Sequence, residues 1–132
     1  MKTIRIHQVD AFTTQIFGGN PTAVVRGAHV LNDDEMRKIA REMNLSESVF
    51  LLPSEAAGVR MRFFTPPGDE IKFCGHATVG ALHTIATEQM YGIRATGRQQ
   101  LAIETNAGLL TAWLDFAAGI GGIALGGSRQ LP

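Results

Sequence analysis

Cysteine is nearly absent from this 132-residue chain, which has only Cys74. One thiol cannot close a disulfide within the chain, which fits a reducing compartment and points to the cytoplasm. Net charge is missing too, since 12 acidic residues balance 12 basic ones. Without a basic field, neither nucleic acid nor an anionic membrane is an expected partner. No apolar run reaches the roughly 18 residues of a membrane helix. The opening MKTIRIHQVDAF alternates polar and apolar residues and so reads as a strand, with no signal-peptide core. No unit recurs at a fixed period, which excludes solenoids and propellers. What is present suffices for a single domain with a real core, because 45% of the residues are hydrophobic.

Strand patterns dominate. TIRIHQVDAF has period-two alternation, and a turn cluster at Gly18–Pro21 precedes the β-branched run Thr22–Val25, so the chain returns as a second strand. LNDDEMRKIAREMNL is the clearest helix. Asn32 is suited to the N-cap, Glu35 completes a capping box, and Met36, Ile39, Ala40 and Met43 form one apolar stripe that ends at Asn44. ESVFLLP and GVRMRFFT read as strands about the turn SEAAG, and PPGDE reads as a further turn. QQLAIET and LLTAWLDF read as a hairpin about NAG.

The second helix pattern is the unusual one. FCGHATVGALHTIAT, Phe73 to Thr87, contains no Asp, Glu, Lys or Arg. A helix apolar on every side is buried on every side. Among so many strands, the expected container is a curled, barrel-like sheet around a central helix. At its head, Gly75 leaves room for close approach, and the unpaired N–H groups of the first turn suit an anion. His76 and Cys74 stand beside that point. By spacing alone, the better reading is of Cys74 as a small core residue and His76 as a buried, hydrogen-bonded histidine. Cys74-x-His76 with His83 lacks the paired-ligand spacing of a zinc site, so no metal is expected. Ser46, His76 and Asp10 make a triad on paper, but no G-x-S-x-G elbow carries the serine. GIGGIA, Gly119 to Ala124, matches a dinucleotide fingerprint without room for the helix and strand that must follow it.

Four pieces in order carry a resemblance: FGGNPTAVV (Phe17–Val25), MNLSESVFL (Met43–Leu51), RFFTPPGDE (Arg62–Glu70) and FCGHATVGA (Phe73–Ala81). Over residues 3–115 the chain resembles the amino-terminal half of the PhzF-like isomerases of phenazine biosynthesis, within the diaminopimelate epimerase superfamily. The resemblance implies an α+β fold of two similar lobes, each a β-barrel around a central helix, with the active site in the cleft between them. It further implies that Glu47 is the general acid/base moving a proton on a small carboxylic acid. Ser46, Gly75 and His76 are implied substrate contacts, and Cys74 and Asn20 are further candidates. No cofactor is implied. Epimerases of the superfamily use two thiols, and this chain has one. Taken alone, Glu47 reads as a solvated strand-end carboxylate; the chemistry instead asks for a carboxyl held out of water, as Leu45, Val49 and Phe50 would hold it.

On this reading residues 1–115 form one lobe, residues 116–132 form a weakly ordered glycine-rich tail, and the second lobe is absent. Three functions follow. The first is an isomerase completed by a homo-oligomer or a complementing second-lobe chain. The second is a non-catalytic remnant that binds a small carboxylate. The third is an interaction module that uses the unpaired cleft face.

Overall fold

Alternation along the strands decides which residues face which helix, and the computed structural model shows the result for residues 3–11, 20–94, 96–115 and 122–129. The order is β1 (Arg5–Ala11), β2 (Asn20–Arg26), a 3-10 turn (Ala28–Val30), α1 (Asp33–Met43), β3 (Glu47–Leu52), β4 (Val59–Phe64), β5 (Glu70–Ile71), α2 (Gly75–Glu88), β6 (Arg98–Thr105), β7 (Gly108–Asp115) and β8 (Gly122–Arg129). They form one mixed sheet, ordered β1-β2-β3-β4-β6-β7-β8, with β5 paired to β4. The pairs β2–β3 and β4–β6 are parallel, and the remaining pairs are antiparallel.

The curled, barrel-like sheet expected from the sequence is not found. The sheet is open, and among the described residues β1 and β8 are its two unjoined ends. Its two faces carry separate cores. Val24, Val49, Leu51, Met61 and Phe63 pack with Ala77, Ala81, Leu82 and Ile85 of α2. Their strand neighbours Val25, Phe50 and Phe64 pack with Met36 and Ala40 of α1. An apolar helix lies on a face of such a sheet without being enclosed by it. Accordingly α2 is not buried all round: His83, Thr87 and Glu88 are exposed, with Val79 half-buried on the same side.

The polar helix α1 forms as its sequence predicts. The Asn32 side chain accepts from the Glu35 N–H at 2.8 Å, and the Glu35 carboxylate accepts from the Asn32 N–H at 2.9 Å. Asn44 ends it in the left-handed conformation, at φ 51°. Arg62 of β4 then ties this helix to the sheet, donating twice to Glu70, at 2.7 and 2.8 Å, and once to Asp33 at 2.8 Å. The same guanidinium holds the Glu70 carboxyl below its usual range.

Two features bear on later points. Along β4, Phe63 and Phe64 pair with β5, while Val59 and Arg60 pair with β6, so both partners share one edge of the strand. The glycine-rich stretch read as a tail contributes β8, paired with β7 from Asp115↔Gly122 to Leu109↔Arg129.

Candidate active site

Parallel pairing sets Glu47, the first residue of β3, directly across from Thr22 of β2. Both share the parity of Val24 and Val49, so both face α2. That helix comes close because Gly80 carries no side chain: a Cβ there would stand 3.5 Å from the Thr22 Cβ. Thr22 is fully buried, and its hydroxyl has no hydrogen-bond partner among the described residues. The Oε2 atom of half-buried Glu47 is likewise buried and without a partner among them. A buried polar atom left unpaired costs about 1–3 kcal/mol, so two on one spot of a ladder mark a place where a third group is wanted.

The head of α2 points to the same spot. Cys74 is the N-cap, and its sulfur accepts from the Ala77 N–H at 3.5 Å. Thr78 donates its hydroxyl to the Cys74 carbonyl at 2.8 Å. Burial pushes the Cys74 thiol up from its ordinary value; the Ala77 and His76 amides pull it down, and the adjacent Glu47 carboxylate raises it further. The thiol therefore stays protonated near neutral pH beside the carboxylate. Removing that negative neighbour is expected to move the pH midpoint of Cys74 alkylation downward in Glu47→Gln, measured as iodoacetamide rate against pH. An unchanged midpoint would separate the two side chains.

The other expected site residues fall into place unevenly. His76 is half-buried in the first turn of α2. Gly75 precedes it, where an added Cβ would meet only the Phe73 ring at 3.7 and 4.0 Å, so the protein itself does not require glycine there. Ser46 is exposed in the bend before β3. Asn20 opens β2 opposite Ala11, at the end of the sheet where Thr22 and Glu47 lie. Asp10 pairs with Pro21 on the backbone, and its side chain lies outside the described residues. Gly119 to Gly121 of the fingerprint lie outside them too, while Gly122–Ala124 belong to β8. Among the described residues, no group of three or more His, Cys, Asp or Glu is placed to hold a metal ion. No helix among them is long and apolar enough to cross a membrane. Thr22 is the site residue that sequence reasoning missed; its one signal was a hydroxyl on the inward face of an otherwise apolar strand.

With this geometry in view, comparison with known proteins is informative. The profile of phenazine biosynthesis-like proteins, PhzC-PhzF, matches residues 9–125. The chain belongs to this family. The likeness was expected to stop at residue 115 and to concern an amino-terminal half alone. Instead, the PhzC-PhzF match continues to residue 125 and takes in nearly the whole chain. The uncharacterized isomerase YddE of Salmonella typhimurium is 51% identical over 83 residues, covering 63% of this chain and 28% of that protein. The trans-2,3-dihydro-3-hydroxyanthranilate isomerase of Pseudomonas aeruginosa is 38% identical over 108 residues, covering 81% of this chain and 36% of that protein. The PhzF-family crystal structure from Bacillus anthracis superposes with a TM-score of 0.75 at 41% identity, covering 86% of this chain and 36% of that one. The chain thus spans well under half the length of these PhzC-PhzF relatives.

Proposed function

We propose that this chain provides the proton-shuttling side of a PhzC-PhzF isomerase, acting on a small unsaturated carboxylic acid. Glu47 is the general acid/base. Its carboxylate takes a proton from one carbon of the substrate and, as a carboxylic acid, returns it to another carbon of the same conjugated system. No proton or electron is gained or lost overall. The substrate carboxylate sits at the first turn of α2, where the helix dipole favours negative charge. Gly75 keeps that approach open, His76 and Ser46 orient the substrate, and Asn20 lies at the same end of the sheet. General acid–base catalysis contributes about 10²–10⁴ in rate, or roughly 3–5 kcal/mol.

The observation that carries this reading is the unpartnered pair, the Glu47 Oε2 atom and the Thr22 hydroxyl, beside the head of a 14-residue helix. The activity named for the Pseudomonas aeruginosa relative suggests a cyclic hydroxylated amino acid as the first substrate to try. A second copy is the first source to test for the opposite wall of the site. Incubating the chain with trans-2,3-dihydro-3-hydroxyanthranilate in D₂O, and following carbon-bound deuterium by NMR, tests the proposal. Deuterium should enter the substrate, and the rate per chain should rise with chain concentration if a second copy completes the site. Binding without exchange at every concentration would favour a non-catalytic carboxylate-binding lobe and overturn the isomerase reading.

A further inference from the structure

The opposite end of α2 holds a second candidate site. A cleft of about 590 Å³ lies there, lined by Arg5, Arg26, His29, Leu51, Met90 and Tyr91, among others. That volume is within the range of small-molecule sites. A 14-residue helix is about 21 Å long, which separates the cleft from the Cys74 end.

Charge in this cleft is not balanced. Arg5 and Arg26 are direct partners in the β1–β2 ladder, so their side chains leave the same face of the sheet. Like charges directly opposed across a ladder are destabilising. Glu88 offsets one of them, 3.0 Å from Arg26. Arg5 makes no ion pair among the described residues, and His29 adds an imidazole to the same wall. The floor is apolar, since Leu51 is fully buried and Met90 half-buried. Tyr91 closes one side in the left-handed conformation, at φ 56°, between Gln89 at 51° and Gly92 at 81°. Bulky residues rarely hold that conformation, and where they do the position is commonly functional. Burial pushes the Tyr91 phenol up, with nearby Arg26 opposing.

We infer that this cleft binds a small organic anion with a planar apolar body, its carboxylate set between Arg5 and Arg26 and its ring against Tyr91 and Met90. The anion supplies the negative charge that Arg5 lacks and shares Arg26 with Glu88, and two guanidiniums suit a carboxylate. The site depends on no feature of the Glu47 end.

The test is an NMR titration of the isotope-labelled chain with 2-naphthoate, with neutral 2-naphthamide as the control. Saturable shifts are expected at the Gly27, His29 and Tyr91 amides, with the naphthamide weaker by about tenfold or more. Arg5→Gln should weaken naphthoate binding by a similar factor while raising the urea midpoint, because the cross-strand repulsion is relieved. Tyr91→Gly, which adopts a positive φ freely, should fold and also bind weakly. Absence of saturation by about 5 mM, equal binding of the naphthamide, or shifts confined to the Glu47 end would overturn the inference. So would an Arg5→Gln variant that gains stability with unchanged affinity, since Arg5 would then only guard an edge strand against pairing.

Discussion

Glu47→Gln is expected to reduce deuterium transfer into a bound substrate by about 10²–10⁴, with binding affinity unchanged. Glutamine keeps the size of the side chain but replaces one acceptor oxygen with an NH₂ donor, and it cannot accept and return a proton. The carboxylate occupies a half-buried position at the start of β3 with one oxygen unpartnered, so the substitution removes no existing side-chain bond at that atom. The rival base is Cys74. Its thiol pKa is raised by burial and by Glu47, so a ready thiolate is not at hand. Cys74→Ser should therefore keep most of the exchange. If Glu47→Gln exchanges as fast as the parent, or if Cys74→Ser alone abolishes exchange, Glu47 is not the base.

Phe63→Ala should produce the largest loss of stability. Phe63 is fully buried on the α2 face and meets Phe73 edge-on, with ring centroids 5.7 Å apart. Truncating such a ring costs about 3–5 kcal/mol, against the 5–15 kcal/mol that keeps a typical domain folded. The urea midpoint should fall by roughly 2 M. Phe73 immediately precedes the N-cap Cys74, so the same cavity loosens the head of α2. Phe63→Leu, which keeps most of the volume, should lose far less. A midpoint for Phe63→Ala within about 0.5 M of the parent would mean that the core there collapses around the gap or was never tight.

Much of this was legible in the residues, and what was not has physical causes. α1 could be read to its caps because Asn32, Glu35 and Asn44 act locally, each on backbone a few residues away. The pairing of β6 with β7 was legible for the same reason. Strand β5 was hidden, because two residues after PPGD hold no periodicity, and only the edge of β4 makes them a strand. The arrangement of the sheet was misread from α2. An uncharged run signals burial, but it does not distinguish enclosure from packing on one face, and His83 and Thr87 supply enough polarity for an exposed stripe. Thr22 was invisible as a site residue because its meaning depends on register: only the β2–β3 ladder sets it across from Glu47.

The shared edge of β4 has a mechanical meaning. Strands β6, β7 and β8 join the rest of the sheet through Val59↔Ile103 and Arg60↔Glu104, helped by the Gly58 N–H donating to the Ala102 carbonyl at 3.0 Å and by the Arg60–Glu104 contact at 3.7 Å. This is a narrow weld between two broader plates. A shared core backs that weld: Leu101, Ile103, Ala112 and Leu114 of the meander are buried in the same cluster as Met61, Phe63 and the apolar face of α2, so prising the plates apart would open the main core itself.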